Sequence, residues 1–190
     1  MDVAYETAVR QLPPKIRELL LLFPQDKQQV VREVSMRAGK PLTLTTGEGI
    51  RFASGNGAFS AFPPPASDIL TAQEIGDCLR FLTEYSLHSF EESLCRGYLT
   101  VRGGHRAGIS GTGVHKDQSI SHVRDVSSIS LRIARQIRGV SRGLVQSLYG
   151  TGETPSVLIV GAPASGKTTV LRDLVRSLAN GEAGRYVRVS

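Results

Sequence analysis

The residues best suited to chemistry lie close together near the carboxyl end of the sequence. The stretch from Gly161 to Thr168 reads GAPASGKT and so matches the pattern GxxxxGK[ST]. Glycine has no Cβ atom, so its backbone can bring amide groups close to phosphate oxygens. A lysine supplies a compact cation for the outer phosphates, and a threonine hydroxyl is a ligand for Mg²⁺. This spacing predicts a loop that binds the phosphates of a nucleotide.

Nine positions form this loop and its continuation, and we assign all of them to nucleotide binding. They are Gly161, Ala162, Pro163, Ala164, Ser165, Gly166, Lys167, Thr168 and Thr169. Lys167 is also the predicted catalytic residue, because its ammonium group would reach the β and γ phosphates. Thr168 is the predicted metal ligand, and ATP and Mg²⁺ are the predicted cofactors. The alternative is a glycine-rich turn that binds nothing.

The flanking sequence predicts the elements that must position this loop. Ser156 to Val160 is a continuous apolar, β-branched run, which is typical of a strand covered on both faces in a parallel sheet. Apolar residues recur at helical spacing from Thr169 to Leu178, and Asn180-Gly181 is a typical helix end. The order strand, loop, helix is the context in which the motif binds phosphate.

A second acidic motif is expected in an NTPase of this type, where it holds Mg²⁺ and activates water. The sequence ends soon after the loop helix, and Arg185 to Ser190 reads as the start of another strand without a carboxylate at its end. Asp173, within the loop helix, is predicted to be a solvated or salt-bridged surface charge. We therefore expect a truncated chain that binds nucleotide but lacks the full hydrolysis machinery.

The earlier residues carry alternating helix and strand signals. The expected elements are one amphipathic helix over 5–23, a hairpin over 30–45, loop or extended chain over 47–65, a helix with a capping box from Thr71, a hairpin over 97–110, and a strand from 129 followed by a helix. Glycines and a proline between Tyr149 and Pro155 predict a boundary. The predicted domains are residues 1–150 and 151–190.

Composition restricts the class of protein. With 190 residues, 40% hydrophobic and 21% charged, the chain suits one or two small folded domains. Its longest apolar run, Leu19 to Phe23, is too short to cross a bilayer and no leader opens the chain, so we expect a soluble, cytoplasmic protein. Cys78 and Cys95 are too few and too far apart for a disulfide framework or a zinc site, and we expect buried thiols.

Charge is distributed unevenly along the sequence. Residues 1–95 carry a net charge of −3, whereas residues 96–190 carry +9. The second half therefore attracts anions, which include nucleotide phosphates, acidic lipid and acidic protein surfaces. Nucleic acid is disfavoured because the chain has 6% aromatic residues and no Trp for base stacking. A noncatalytic module that docks its basic half on acidic partners is the alternative function, and a nucleic-acid-dependent ATPase is a third.

Three blocks of sequence resemble the stage III sporulation protein AA family of endospore-forming bacteria, which is related to the ring-forming secretion ATPases. The blocks are Arg32–Pro41, Gly97–Gly108 and Val123–Arg135, and the GxxxxGKT loop lies where that family has it. The resemblance implies an N-terminal α+β domain followed by the beginning of a RecA-like P-loop NTPase core. It also implies an ATP-binding mother-cell protein that works as a ring at the inner membrane face, with membrane proteins of the sporulation export complex as partners.

Rings of this kind suggest a role for basic residues outside the loop. An arginine from a neighbouring subunit can stabilise charge on the transferring phosphoryl group, so Arg124, Arg132 and Arg135 are candidates to act in trans. Their spacing also fits the solvent side of a strand followed by a helix, which is the alternative. His105 follows two glycines and is predicted to be an exposed turn residue.

Overall fold

The chain forms two compact units. The computed structural model describes residues 2–55, 57–116, 119–149, 155–163, 165–182 and 184. The first unit comprises residues 1–134 and the second comprises residues 135–190. The predicted domain boundary between residues 150 and 151 lies outside the described residues, and it stays a prediction.

The first unit combines helices with a sheet. Its helices are α1 (Val3–Val9), α2 (Pro14–Leu21), α3 (Gln25–Val30), α4 (Ala72–Leu82) and α5 (Glu91–Cys95). Its strands are β1 (Val31–Arg37), β2 (Thr43–Thr46), β3 (Gly49–Ala53), β4 (Phe59–Ser60), β5 (Tyr98–Val101), β6 (His105–Lys116) and β7 (Ser119–Arg132). Short 3₁₀ helices at Ala66–Asp68 and Leu87–Phe90 precede α4 and α5. The predicted mixed α/β class is confirmed.

The described strands form one antiparallel sheet in the order β4-β3-β2-β1-β7-β6-β5. Strands β6 and β7 form its longest hairpin. Strand β1 pairs with β7 over residues 128–132, and β5 pairs with β6 over residues 105–108. The rest of the hairpin, residues 111–116 and 119–126, is therefore a two-stranded arm, and a bulge interrupts its register between Ser110 and Thr112.

One face of the sheet supplies the main core. On β1, Val34 and Met36 are fully buried, whereas Ser35 between them is partly exposed. The register places Val34 beside Leu44 and Leu131, so buried side chains of neighbouring strands share one face. These side chains form a single cluster with apolar residues of the helices. Alternate residues of each strand point to the opposite face, which is mainly polar.

The predicted helix over residues 5–23 is wrong in its extent, because two helices occupy that segment. Helix α1 ends at Val9, and α2 begins at Pro14. Pro13 fixes its own backbone and disfavours helical geometry in the preceding residue, while Pro14 is acceptable at the first helical position. The apolar spacing had suggested one element because Leu12, Ile16 and Leu20 all enter the same core.

Several other predicted elements can be compared directly. Pairing of β1 with β2 and of β5 with β6 confirms both hairpins. Segment 47–65 was expected to be loop or extended chain rather than helix, and it contains β3, which pairs with β2, and β4, which pairs with β3. Residues 133–138 form no helix, and the next helix begins only at Arg142.

The second unit contains two described helices, α6 (Arg142–Tyr149) and α7 (Lys167–Ala179). Val145 and Tyr149 of α6 pack against Leu174 and Leu178 of α7. Helix α7 is followed by Asn180 and by Gly181 with a φ of 73°, so the predicted helix end is confirmed. The predicted strand over 185–190 lies outside the described residues.

Candidate functional site

The candidate site lies at the amino end of α7. Gly166 immediately precedes the helix and has a left-handed backbone, with a φ of 88° and a ψ of 8°. A Cβ atom built on Gly166 would meet nothing within 4 Å, so backbone conformation rather than space favours glycine there. The amide groups of the first helical turn have no partners within the helix, and the helix dipole makes this end positive.

The side chain of Lys167 folds back over the loop. Its Nζ atom donates hydrogen bonds to the carbonyl oxygens of Gly161 at 2.9 Å and Ala162 at 2.5 Å. The two carbonyl groups hold the ammonium group beside the start of α7. A cation and the positive end of a helix therefore lie together, which is a favourable setting for an anion.

Gly161 has a different reason to be glycine. A Cβ atom there would lie 2.8 Å from Oγ of Ser165 and 3.8 Å from Cδ of Lys167. A larger residue would therefore push the Ser165 side chain away from the middle of the loop. The backbone N–H of Ser165 also donates a hydrogen bond to the carbonyl oxygen of Ala162 at 3.3 Å, and this bond closes a turn inside the loop.

The remaining predicted positions surround this turn. Ala162, Pro163, Ser165 and Thr168 are exposed, and Thr169 is partly exposed in the first turn of α7. The hydroxyl of Thr168 is thus available to a ligand from solvent. Ala164 lies outside the described residues.

The predicted strand before the loop is not formed. Residues 156–160 have no regular secondary structure, and the side chains of Leu158 and Val160 are 87% and 80% exposed. A strand requires backbone hydrogen bonds to a neighbour, and no described strand pairs with this segment. The apolar, β-branched composition therefore does not by itself produce a strand.

Asp173 corrects the sequence-based prediction of a surface charge. It is 2% exposed, and its Oδ2 atom accepts hydrogen bonds from the backbone N–H of Ser141 at 2.9 Å and from Oγ of Ser141 at 2.8 Å. Ser141 precedes α6, so the carboxylate lies at the positive end of that helix. No local pattern around Asp173 indicates this partner, which is 32 residues away.

An ion-pair network continues from Asp173 along α7. Its Oδ1 atom accepts from Nη2 of Arg176 at 2.9 Å, and Arg176 also pairs with Glu182. The part of the prediction that expected a salt bridge is therefore confirmed, although the pair is not at the surface. Hydrogen bonds from the backbone and then the hydroxyl of Ser141, together with Arg176, hold the pKa of Asp173 well below its usual range. The carboxylate is thus charged at neutral pH.

The three arginines that are candidates to act in trans are exposed or partly exposed. Arg124 Nε is 3.6 Å from Oδ2 of Asp125, and Arg132 Nε is 3.6 Å from Oε2 of Glu33, with both arginines exposed. Arg135 is partly exposed. A role of any of them in trans stays a prediction.

His105 is not the exposed turn residue that was expected. It is 1% exposed, it opens β6, and its Nδ1 atom accepts a hydrogen bond from the backbone N–H of Ala134 at 3.0 Å. The two preceding glycines do form the turn, with φ values of 87° and 75°. The histidine itself is drawn into the core because it is the first residue of the returning strand.

The two cysteines differ in burial. Cys78 is buried beside Met36, and burial, with a smaller contribution from Asp77, raises the pKa of its thiol to about 12. Cys95 is partly exposed.

None of the helices that the structure describes combines the length and apolar character needed to cross a membrane. Within the same residues, no group of three or more His, Cys, Asp or Glu side chains is placed to hold a metal ion.

The left-handed glycine and the lysine at the start of α7 are two features of a phosphate-binding loop, and the strand that precedes such a loop is not formed here. Residues 4–189 match the family described as Sporulation stage III, protein AA, and the chain belongs to that family. It is 34% identical over 171 residues to Stage III sporulation protein AA of Bacillus subtilis (strain 168). That match covers 90% of this chain and 51% of the relative, so the chain spans about half of the relative's length. The predicted family resemblance is confirmed.

Two solved structures are also similar. The pilus retraction motor PilT with bound ADP is 17% identical with a TM-score of 0.46, over 86% of this chain and 41% of that one. The ATPase DotB of Legionella pneumophila is 15% identical with a TM-score of 0.44, over 88% of this chain and 43% of that one.

Proposed function

We propose that this chain binds ATP together with Mg²⁺ through residues 161–169. The observation that supports this most directly is the position of the Lys167 ammonium group, 2.9 Å from the carbonyl oxygen of Gly161 and beside the first turn of α7. A phosphate group bound there would be stabilised both by the lysine cation and by the positive end of the helix. The exposed threonine hydroxyl next to the lysine adds a ligand that suits Mg²⁺.

Each loop position has a role in this proposal. Gly161 and Gly166 let the backbone curve so that the N–H groups of the loop, which Pro163 lacks, face the phosphates. Lys167 releases its two carbonyl partners and pairs with the β and γ phosphates. Thr168 would hold Mg²⁺, which would neutralise phosphate charge when bound, and Thr169 supports the same turn. Ala164 takes part through its backbone, on the sequence pattern alone.

Family membership supports a wider role for the full-length protein. We place it in sporulation, as the ATP-binding subunit of a secretion-type ATPase at the channel between mother cell and forespore. In this role the full-length protein hydrolyses ATP as a ring of identical subunits. It works on the cytoplasmic side of the inner membrane with membrane proteins of the export complex as partners.

Replacement of Lys167 tests the phosphate contact. We expect Lys167→Ala to weaken binding of a fluorescent ATP analogue by about 10- to 100-fold, the effect of one charge-assisted contact. Arg172→Ala is the matched control, because Arg172 is an exposed cation of the same helix. Thr168→Ala should reduce the gain in affinity that Mg²⁺ gives while leaving metal-free binding almost unchanged. Equal affinities of the wild type and Lys167→Ala would refute the assignment, as would calorimetry without heat from ATP.

The charge distribution supports a second candidate function. A net charge of +9 over residues 96–190 suits docking on an acidic protein or an anionic lipid surface. Docking of this kind would weaken steeply as salt is added and would not respond to Lys167→Ala. Vesicle sedimentation at low and high ionic strength, with both proteins, separates the two functions.

A further inference from the structure

A cavity on the polar face of the first unit's sheet is not used by the proposed function. Its volume is ≈ 320 Å³, and it lies over strands β1, β2, β3 and β7. Its described lining includes the cations Arg37 and Lys40 and the ring of Phe52. None of the described lining residues is a carboxylate. The cavity therefore has a positive lining with one apolar wall.

The strand register aligns the polar groups of this cavity. Ser35 pairs with Thr43 on one side and with Ser130 on the other, and Thr43 pairs with Phe52. A single row therefore crosses four strands, with the aromatic ring at one end and three hydroxyl side chains after it. Neighbouring strands lie about 4.8 Å apart, so the row extends roughly 14 Å. In the next row, Arg37 pairs with Ser128.

Backbone contacts fix the turn that carries the two cations. Between Arg37 and Lys40, Ala38 donates to the carbonyl oxygen of Ser127 at 2.9 Å, and Gly39 donates to that of Leu70 at 2.8 Å. Leu70 in turn donates to the carbonyl oxygen of Lys40 at 3.0 Å. The turn is thus bound to β7 and to the segment before α4. A ligand would not need to order this backbone, which lowers the entropy cost of binding.

The Ser35 hydroxyl donates to Oε1 of Glu33 at 3.1 Å and Oγ1 of Thr43 donates to the carbonyl oxygen of Ser35 at 3.5 Å, so the groups that a ligand can reach are the two cations and the serines of β7. No described carboxylate pairs with Arg37 or Lys40, whereas the nearby Arg132 has Glu33 at 3.6 Å. Among the described residues, the hydroxyls of Ser128 and Ser130 also have no hydrogen-bond partner. Two unpaired cations on one short turn repel each other, and an anion between them would remove that repulsion. Hydroxyl donors nearby would add hydrogen bonds to the same anion.

We propose that this cavity binds a small phosphate-bearing molecule. Arg37 and Lys40 pair with the phosphate, Ser128 and Ser130 donate hydrogen bonds to it, and Phe52 packs against the remainder of the ligand. The volume of ≈ 320 Å³ lies at the lower end of the range for small-molecule sites. This site is separate in sequence from residues 161–169 and does not depend on the function proposed for them.

Inorganic pyrophosphate is the probe for the first test. The protein carries Lys167→Ala so that the loop of the second unit contributes little, and amide NMR shifts of residues 35–40 and 128–130 report binding. We expect saturable shifts there, and a loss of affinity of about tenfold or more in Arg37→Ala/Lys40→Ala. The matched control is Arg80→Ala/Arg96→Ala, which removes one exposed cation within α4, one directly after α5, and the same net charge. Equal weakening by both pairs would overturn the proposal, because it would show attraction to overall charge.

A second variant separates a formed site from a merely basic surface. Ser130→Val keeps the net charge, suits a strand, and replaces a hydroxyl in the row with two methyl groups. We expect at least a fivefold loss of pyrophosphate affinity from blocked access and the lost donor. Unchanged affinity in a folded Ser130→Val protein would contradict the proposal.

The same phosphate chemistry occurs in lipid headgroups, so vesicles form the other arm. Vesicles of phosphatidylcholine with phosphatidic acid should bind no better to the starting protein than to Arg37→Ala/Lys40→Ala. If vesicle binding depends on Arg37 and Lys40 while pyrophosphate causes no NMR shifts, the proposal of a small-molecule site is refuted. The two cations would then belong to a surface that contacts a membrane.

Discussion

At the residue scale, Gly166 shows how one backbone angle sets the start of α7. Its φ of 88° is disfavoured for any residue with a Cβ atom, although the space beside it is open. We expect Gly166→Ala to lower the free energy of unfolding by about 1–2 kcal/mol, through backbone strain alone. Urea titration followed by circular dichroism measures this change.

Gly143 offers the matched control for that substitution. It lies within α6, and a Cβ atom there would also meet nothing within 4 Å. Since its backbone is not left-handed, Gly143→Ala should be neutral or stabilising by up to about 1 kcal/mol. Equal effects of the two alanines would mean that backbone conformation at Gly166 is not the reason for glycine.

Asp173 makes the stability of the second unit depend on pH. Its hydrogen bonds with Ser141 and its pairing with Arg176 place its pKa below the unfolded value of about 3.9. A lowered pKa gives stability that is present above the unfolded value and is lost as pH falls towards the folded one. We therefore expect the free energy of unfolding to fall between about pH 5 and pH 2, and to fall less in Asp173→Asn.

Asp77→Asn is the comparison for this acid dependence. Asp77 is an exposed helix carboxylate that pairs with Arg80 at 2.9 Å, and exposed pairs contribute little. Its replacement should leave the slope of stability against pH close to that of the wild type. If Asp173→Asn also keeps the wild-type slope, the buried network does not carry the acid dependence.

These residues also show what the sequence can and cannot predict about a site. The lysine and glycines of the loop could be proposed as a site from the sequence because the chemistry expected of them depends on short spacing along the chain. The burial of His105 and Asp173 was not, because their hydrogen-bond partners, Ala134 and Ser141, are 29 and 32 residues away. Local patterns placed both side chains at the surface, and tertiary packing placed them inside.

At the element scale, local signals succeeded where a side chain satisfies the backbone of its own element. The capping box predicted before α4 is present, with Glu74 N–H donating to Oγ1 of Thr71 at 3.2 Å and Thr71 N–H donating to Oε2 of Glu74 at 2.8 Å. Strands β3 and β4 were missed, and a strand over 156–160 was wrongly expected. In each case the outcome depends on a neighbouring strand that the segment's own composition does not specify.

The bulge of the β6–β7 arm gives a prediction about one element. A Cβ atom on Gly111 would lie 2.8 Å from the carbonyl oxygen of Arg124 and 3.0 Å from Cα of Val126, and this backbone has little room to move. We expect Gly111→Ala to destabilise the arm by about 1–3 kcal/mol, as overpacking does. Amide hydrogen exchange over residues 112–124 should become about tenfold faster or more.

Gly113 lies two residues further along the same strand and is the control for this prediction. Its Cβ atom would make an ordinary contact of 3.5 Å with the Ile120 side chain. Gly113→Ala should therefore leave exchange in the arm unchanged or slower. Similar rates in both variants would show that the close approach at Gly111 does not limit the arm.

At the scale of the whole molecule, apolar burial is distributed very unequally between the two units. Among the described residues, the main core joins 26 buried residues, all within the first unit. In the described part of the second unit, the core joins four buried apolar residues from α6 and α7. Since burial of apolar surface is the main favourable term in folding, the first unit has far more stabilisation of its own.

This inequality predicts that residues 1–134 fold alone and that residues 135–190 do not. The first piece should unfold cooperatively in urea at the midpoint of the main transition of the whole chain, and ATP should not shift that midpoint. The second piece alone should give a broad, noncooperative change in circular dichroism, because the four apolar side chains buried among its described residues do not offset the entropy of ordering its backbone. If the first piece is unfolded by itself, its core requires the second unit, and the two must then be treated as one folding unit. If instead the second piece unfolds cooperatively and ATP stabilises it, residues 135–190 fold and bind nucleotide in the absence of the first unit.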